Sequence, residues 1–299
     1  MQEFTHTGKA MGTDFSVSIV CESAETARAL LDGAGDTIHA YEERFSRFLP
    51  ESELSQLNAS RAMTVSPEFL EVLLEAQRLF TLTRGVFNPL VQIERLGYTT
   101  SFDTLEDTPV PPVANDTYDI DFSTTSIDPL TGSVILSEGQ RLDFGGFLKG
   151  FLAEKIARRI MESENDIQGV IVNLGGDIHT RGVDADGAPF LFSIYNPITQ
   201  KDDFHIPLKD SSLATSGTYK RTWMQSGVPT HHILDISGTH NPESDIVSAS
   251  VIHEHGGVTE ACAKVLLTLG PEKACTLLAG TTLRYIIITS NGTVHTDTL

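Results

Sequence analysis

The sequence predicts an α+β fold. Segments with the alternating pattern of strands and segments with helical spacing occur along the whole chain, but they do not follow each other in a regular βαβ order. The chain has 299 residues, of which 40% are hydrophobic and 20% charged. This is the composition of a globular protein with room for one large domain or two small ones. There is no internal repeat, so a repeat architecture is not expected.

The first third of the chain is predicted to contain one strand and two helices. Residues 15–21 (FSVSIVC) alternate between polar and apolar side chains with the period of two that is typical of strands. Residues 23–44 show helical spacing of their apolar side chains. Residues 66–80 have a stronger helical pattern, because Ser66 can cap this helix and Pro67 stands at its first position.

The middle of the chain combines an irregular stretch with a well-defined helix. Residues 102–130 are rich in Asp, Thr and Pro and show little periodicity, so we expect a long loop or an inserted segment there. A helix is expected directly after Gly146. Its apolar side chains share one face: Phe147, Phe151, Leu152, Ile156 and Ile160.

The second half is predicted to consist mainly of strands. A buried strand at 169–176 ends in two glycines. Helices are expected at about 258–269 and at about 271–279, and the second begins with Pro271. Further strands are expected at 190–195, 231–237, 246–253 and 283–289.

Charge and composition limit the partners. A net charge of −19 argues against nucleic acid, whose binding needs Lys and Arg, and against an anionic membrane surface. No apolar run reaches the roughly 18–20 residues of a membrane-spanning helix, so we expect no membrane insertion. The first twenty residues lack a signal-peptide pattern, and the three cysteines form no CxxC motif. We therefore expect a cytoplasmic protein, although a chain trimmed of its leader would look the same.

Four glycine-containing corners follow strand-like segments, at 10–13 (AMGT), 143–150 (DFGGFLKG), 173–177 (NLGGD) and 214–219 (ATSGTY). Glycines at strand ends let backbone N–H groups approach a ligand, and a helix N-terminus favours an anion. Lys149 near such a helix start could hold a phosphate. Each corner could equally be a tight turn, since glycine is common in turns for conformational reasons. The P-loop and dinucleotide-binding motifs are both absent.

Two histidines and two phenylalanines are further candidates for a site. In a strand, His231 and His232 would lie on opposite faces, so one of them could face a site and act as an acid or base near neutral pH. Either could also be a structural histidine. Phe48 and Phe87 could stack on a ligand ring or belong to the core.

Eight motifs occur in the order of one known family. They are AMGTDFSV, FSRFLPESELSQLN, TRGVFNPLV, LDFGGFLKG, VNLGGDI, SLATSGTYKR, HHILD and TEACAKVLLTLG. With these motifs the chain resembles the ApbE family, the FAD:protein FMN transferases. The resemblance implies one domain over residues 1–299, with an ApbE-like, T-fold-like architecture of two lobes that hold the flavin between them. It also implies a reaction in which FMN moves from FAD to a Thr or Ser hydroxyl of an acceptor protein and AMP is released.

The resemblance assigns roles to individual positions. Phe48 stands where the family usually has Tyr or Trp, which keeps a ring for stacking, and Asn88 stands where the family usually has Asp. His232 is the candidate general base for the acceptor hydroxyl, because a hydroxyl is a weak nucleophile without an adjacent base. The flavin contacts implied by the resemblance are Met11, Phe48, Val86, Phe87, Asn88, Asp143, Lys149, Ile233 and Leu234.

The metal site implied by the resemblance is altered. Magnesium would be held by the carbonyl of Gly146 and by side chains in a D-x-x-x-T pattern, whose positions here carry Glu260 and Lys264. Glutamate can ligate magnesium, but a charged lysine has no acceptor atom and would repel the metal. Glu260 and Lys264 are one helical turn apart, so they could form a surface ion pair or a pair inside the site.

Three functions follow from this alteration. The first is a flavin transferase in which the ammonium of Lys264 takes part of the metal's role. The second is an FAD-binding protein that has lost transfer. The third is an FAD pyrophosphatase that releases FMN and AMP, which needs the same activation of the diphosphate as the first.

Overall fold

The computed structural model describes residues 1–93, 118–163, 166–220, 222–225 and 228–298. Within these residues the backbone forms fifteen strands. In chain order they are β1 (Gln2–Ala10), β2 (Thr13–Cys21), β3 (Ala62–Thr64), β4 (Ser126–Asp128), β5 (Ser133–Ile135), β6 (Gly169–Leu174), β7 (Asp177–Gly182), β8 (Phe190–Asn196), β9 (Lys201–Leu208), β10 (Ser211–Gly217), β11 (Thr222–Gln225), β12 (Val228–His231), β13 (Ile246–His253), β14 (Arg284–Thr289) and β15 (Val294–Thr298).

The described residues also contain six α-helices, and side chains define the starts of the first three. Ser23, Ser52 and Ser66 each accept a hydrogen bond from a backbone N–H of the first turn that follows. The helices are α1 (Ala24–Phe45), α2 (Glu53–Ser60), α3 (Pro67–Leu82), α4 (Leu148–Ser163), α5 (Gly256–Leu269) and α6 (Pro271–Leu277).

Eight strands form the central sheet in the order β1-β2-β6-β7-β10-β13-β14-β15. Every neighbouring pair is antiparallel. The predicted α+β class is therefore confirmed, since helices and strands are mixed without parallel βαβ units.

The two faces of the central sheet are covered differently. Helices α1, α4 and α5 pack on one face, where Val17, Val172 and Val251 belong to the main hydrophobic core. The hairpin of β8 and β9 covers part of the other face, where Ile178 and Leu213 contribute to a second core. Alternation along each strand sends successive side chains to these two cores.

Two turns lie at the same end of the sheet. The turn between β1 and β2 contains Met11 and Gly12, and the turn between β6 and β7 contains Gly175 and Gly176. All four have positive φ angles, between 54° and 99°. The N–H of Gly175 donates to the carbonyl oxygen of Asp14 at 3.0 Å, which ties the two turns together. This end of the sheet faces the first turn of α4.

Helices α4 and α5 approach each other at Gly150 and Gly256. A Cβ atom on Gly150 would lie 2.3 Å from the carbonyl oxygen of Gly256, and a Cβ atom on Gly256 would lie 2.0 Å from the carbonyl oxygen of Gly150. These distances are far below van der Waals contact, so both positions require glycine. The close approach brings the second turn of α5 against the first turn of α4.

Most of the predicted elements are confirmed with small shifts of their ends. The strand at 15–21 is β2, the helix at 23–44 is α1, and the helix at 66–80 is α3. The helix after Gly146 is α4, and Phe147 at its start is fully buried. The helices predicted at 258–269 and 271–279 are α5 and α6, and the strands at 169–176, 190–195, 246–253 and 283–289 are β6, β8, β13 and β14.

Two predictions need correction or restriction. The strand predicted at 231–237 is wrong, because β12 ends at His231 and the chain then turns. Of the predicted long loop at 102–130, residues 102–117 lie outside the described residues. The rest contains a 3₁₀ turn at Phe122–Thr124 and the short strand β4, which pairs with β5. Three-residue elements give too little periodicity to be recognised in sequence.

A helix that crosses a membrane needs about 20 consecutive residues of mostly apolar character. None of the described helices combines this length with this apolar character.

The contact between α4 and α5 gives a first prediction. The change Gly150→Ala should lower the free energy of unfolding by about 3 kcal/mol, because its Cβ must displace backbone rather than a flexible side chain. Urea denaturation measures this. The matched control is Gly33→Ala in α1, where a Cβ meets nothing within 4 Å. It should stabilise the protein by about 0.5–1 kcal/mol. Equal stability of the Gly150→Ala variant and the unmodified protein would contradict the assigned contact.

Candidate functional site

A cavity of about 250 Å³ that opens to solvent lies beside the first turn of α4. Its volume is close to the lower end of the range of about 300–1,000 Å³ that is common for small-molecule sites. Its walls come from six separate parts of the chain. They are Met11, Arg47, Phe48, Val86, Phe87, Asn88, Val91, Ile93, Asp143, Gly145, Gly146, Leu148, Lys149, His232, Ile233, Leu234, Asp235, Lys264, Val265 and Thr268.

Every residue predicted to contact flavin lines this cavity. His232 and Lys264, predicted to be catalytic, line it too, as does Gly146. Glu260 lies behind the wall and is 1% exposed. The fold thus gathers residues that are up to 253 positions apart, from Met11 to Lys264, around one space. Their individual roles stay predictions.

Asp143 holds the loop before α4 at the cavity edge. Its Oδ1 accepts a hydrogen bond from the N–H of Gly145 at 2.8 Å, and its own N–H donates to the carbonyl oxygen of Pro89 at 2.8 Å. The guanidinium of Arg47 lies 3.4 Å from Oδ2. The same guanidinium stands 4.4 Å from the ring centroid of Phe48. Arg47 therefore links the acidic loop to an aromatic side chain of the wall.

Phe87 is both a core residue and a wall residue. It is buried, and its ring meets that of Phe147 edge to face at 5.6 Å. A Cβ atom on Gly146 would lie 2.9 Å from Phe87 Cε2, so glycine is needed for this packing. The two interpretations of Phe87, core or ligand contact, are therefore compatible.

Asn88 shapes the loop after α3. Its Nδ2 donates to the carbonyl oxygen of Ile120 at 2.8 Å, and its Oδ1 accepts from the N–H of Leu90 at 2.9 Å. An amide can make both bonds, whereas an aspartate could make only the second. Asn88 therefore connects two loops, and it also borders the cavity.

Four charged side chains form a network at the base of the cavity. The ammonium of Lys149 donates to Asp177 and, at 2.8 Å, to Glu260 Oε1. The ammonium of Lys264 donates to the same Oε1 at 3.1 Å. The N–H of Gly150 donates to Glu260 Oε2 at 3.0 Å. The Glu260–Lys264 pair therefore lies inside the site, not on an open surface.

Each charged group in this network shifts the pKa values of its neighbours. Burial alone raises the pKa of Glu260, but Lys149 and Lys264 outweigh it and bring that pKa to about 2. Burial and the neighbouring Glu260 carboxylate raise the pKa of Asp177. Burial lowers the pKa of Lys149, but the attraction of Asp177 and Glu260 exceeds this effect and raises it. At neutral pH Glu260 is ionised and Lys149 is an ammonium.

These side chains do not fit a magnesium ion. Both oxygens of Glu260 already accept hydrogen bonds, and two ammonium groups stand where a cation would have to enter. The Cδ atom of Lys264 lies 3.8 Å from the Cβ position of Gly146, so the lysine stem covers the glycine whose carbonyl was predicted to be a ligand. Among the described residues, no group of three or more His, Cys, Asp or Glu side chains is placed to hold a metal.

The two adjacent histidines have different surroundings. His232 lines the cavity, whereas His231 packs against Asn241. The Nδ2 of Asn241 donates to the carbonyl oxygens of His231 and Ile233 at 2.7 and 2.6 Å, and Asp235 closes the following turn with His240. These bonds replace a strand ladder, so the predicted strand is absent here. The expectation that one of the two histidines faces the site still holds, because His232 borders the cavity and His231 does not. Burial lowers the pKa of His231.

Several site residues were missed by sequence reasoning. Asp177 was noted only as the end of a glycine corner, although an acid directly after Gly-Gly at a strand start is a usable signal. Arg47 stands next to the predicted Phe48, and Asp235 stands next to the predicted Leu234. No pattern in the sequence distinguishes Thr268, which lies one turn beyond Lys264 on α5.

Comparisons with known proteins agree with this architecture. The sequence profile of the ApbE family matches residues 11–287. The FAD:protein FMN transferase of Escherichia coli K12 is 25% identical over 304 aligned residues, which cover 95% of this chain and 84% of that protein. The enzyme of the same name from Haemophilus influenzae is 25% identical over 308 residues, with 96% and 87% covered.

Two solved structures have a similar fold. The flavinyl transferase ApbE of Pseudomonas stutzeri superposes with a TM-score of 0.82 at 19% identity, covering 99% of this chain and 94% of that one. The apbe protein of Thermotoga maritima superposes with a TM-score of 0.84 at 23% identity, covering 99% and 97%.

The buried network gives a second prediction. The change Glu260→Gln should lower the free energy of unfolding by about 3 kcal/mol, because it leaves two ammonium groups with one carboxylate. Urea denaturation at neutral pH measures this. The control is Lys264→Met, which should cost less than Glu260→Gln because Lys149 and the N–H of Gly150 still compensate the buried carboxylate.

The pH dependence of this difference follows from the lowered pKa of Glu260. Its carboxyl ordinarily titrates at 4.5 and in the folded protein at about 2, so the folded state binds fewer protons between these values. The stabilisation is present above pH 4.5 and is lost as the pH falls toward 2. The difference in free energy of unfolding between the unmodified protein and the Glu260→Gln variant should therefore shrink as the pH falls from 4.5 toward 2. A constant difference down to pH 2 would contradict the ion-pair assignment.

Proposed function

The chain belongs to the ApbE family, and from this premise we propose that it is an FAD:protein FMN transferase. It would move FMN from FAD to a Thr or Ser hydroxyl of an acceptor protein and release AMP. One observation carries the proposal: the residues that the family resemblance implies for flavin and for catalysis come from distant parts of the chain and border one cavity.

The apolar wall of the cavity suits the flavin ring. Met11, Phe48 and Phe87 offer a thioether and two aromatic rings, which pack well against a planar heterocycle. Ile233 and Leu234 supply an aliphatic surface from the segment after β12. In this proposal the flavin lies between that segment and the α4 side, in line with the position between two lobes that the family resemblance implies.

The polar base of the cavity suits a diphosphate. Lys149 and Lys264 present ammonium groups, and the loop at Gly145 and Gly146 brings backbone close to the space in front of α4. Anions are favoured there because the first N–H groups of a helix carry partial positive charge. The phosphates would lie here, with the flavin toward the apolar wall.

The proposed chemistry is an exchange at phosphorus. The hydroxyl oxygen of the acceptor forms a bond to the phosphorus that carries riboflavin, and the phosphoanhydride bond to the adenosine phosphate breaks. AMP leaves with the bridging oxygen. His232 takes the hydroxyl proton, since an imidazole can do so near neutral pH. The lysine ammonium groups stabilise the negative charge that develops on the phosphate oxygens.

A third prediction concerns binding. FAD should change its fluorescence saturably when titrated with the protein. The change Lys149→Ala should weaken FAD binding by about tenfold or more and leave riboflavin binding nearly unchanged, because riboflavin has no phosphate. An equal loss for both ligands would show that Lys149 acts through folding and not through phosphate.

A fourth prediction tests transfer. Mass spectrometry of a candidate acceptor, after incubation with the protein and FAD, should reveal attached FMN. The change His232→Ala should lower the transfer rate by about 100-fold or more with FAD affinity unchanged. The control is His205→Ala, at an exposed position of β9, which should keep the full rate.

The outcomes of the transfer experiment separate the three functions. FMN on the acceptor supports the transferase. FAD binding with no AMP release, even with an acceptor present, would favour an FAD-binding protein without transfer. Release of FMN and AMP without acceptor labelling would favour a pyrophosphatase. Full transfer by the His232→Ala variant would remove His232 from the mechanism.

A further inference from the structure

The two ammonium groups at the base of the cavity are bound by carboxylates on the side away from the cavity. Lys149 and Lys264 line the cavity, whereas Asp177 and Glu260 are buried and do not. Asp177 is the first residue of β7 and Glu260 lies in α5, so Lys149 is held from the sheet on one side and from a helix on the other. The carboxylates fix where the ammonium groups point without occupying the cavity.

Lys149 and Lys264 have more N–H donors than the network uses. An ammonium group has three N–H donors. Among the described residues, Lys149 gives two of them to Asp177 and Glu260, and Lys264 gives one to Glu260. Three donors are therefore left for a ligand, distributed over two neighbouring nitrogens. Two cationic groups with three donors between them suit the several oxygens and the two negative charges of a diphosphate.

The charges of the base favour an anion over a cation. Two ammonium groups and two carboxylates cancel, but the positive groups line the cavity and the negative groups lie behind them. A ligand therefore meets positive charge first. A divalent cation would meet two ammonium groups and would have to displace at least one of them from Glu260 Oε1.

We propose that Asp177 is a positioning residue that, together with Glu260, holds Lys149 and Lys264 as a metal-free clamp for the diphosphate of FAD. The inference rests on the proposed function, since it takes FAD as the ligand. It adds a role for Asp177. It also proposes that Lys149 and Lys264 together stabilise the negative charge of the diphosphate. Without Asp177, Lys149 has Glu260 as its remaining acceptor in the network and competes there with Lys264.

The first experiment measures FAD and riboflavin affinity by fluorescence titration in EDTA. The change Asp177→Asn should weaken FAD binding by about tenfold and leave riboflavin affinity unchanged. Asp177→Glu, which keeps the carboxylate, should recover part of the loss. The matched control is Asp202→Asn, at an exposed position of β9, which should have no effect on the affinity for either ligand. A parallel loss of FAD and riboflavin affinity, or no loss at all, would overturn the positioning role.

The second experiment measures the same affinities with EDTA and with magnesium. FAD binding to the unmodified protein should be the same in both, and calorimetry with magnesium alone should show no binding. The double change Glu260→Asp with Lys264→Thr should create magnesium-dependent FAD binding. If Asp177→Asn fails to fold, Lys264→Met serves instead and should weaken FAD but not riboflavin. Strong tightening by magnesium in the unmodified protein would overturn the clamp.

The two proposals fail in different ways. FAD binding that needs magnesium, followed by transfer, would overturn the clamp and keep the transferase. Magnesium-independent FAD binding that depends on Asp177, without transfer to any acceptor, would keep the clamp and overturn the transferase. No FAD binding under either condition would overturn both.

Discussion

The hydrogen bond from the N–H of Gly150 to Glu260 depends on the backbone contact between α4 and α5, and the rest of the site is arranged around it. The first N–H groups of a helix have no partner inside the helix. In α4 one of them is satisfied by a carboxylate from another helix, which also suits the positive end of the α4 dipole. The carboxylate can reach it only because Gly150 and Gly256 let the two backbones meet.

Once Glu260 is fixed, the positions of the lysines follow. A buried carboxylate is costly unless it is paired, and here two ammonium groups and a backbone N–H surround it. Such a cluster is weak support for stability as a whole, because desolvation of the charges offsets most of their attraction. Its value lies in geometry, since it presents two cationic groups to the cavity in a fixed arrangement.

The sequence predicted the parts of this protein that depend on local patterns. The α3 helix follows from Ser66, Pro67 and its apolar spacing, and α4 follows from the apolar face after Gly146. The ordered motifs also identified the residues that border the cavity. These predictions succeeded because each pattern is contained in a short stretch of chain.

The predictions that failed depend on contacts that a short window cannot contain. Asn241 ends the strand at His231 from ten residues away, and Asp177 gains its partner Lys149 only when β7 meets α4. The short strand β4 exists because β5 offers a ladder, not because three residues favour it. Apolar periodicity reports burial, whereas these features depend on hydrogen bonds between distant polar groups.

The sharing of Glu260 Oε1 between two lysines has a consequence for how changes at positions 260 and 264 combine. The acid one turn earlier compensates the charge of Lys264, whereas the same lysine beside a neutral residue would lie near the ammonium of Lys149 without a carboxylate of its own. The effects of changing the two residues are therefore coupled and should not add. Lysine at 264 is compatible with this cavity only as long as position 260 carries an acid.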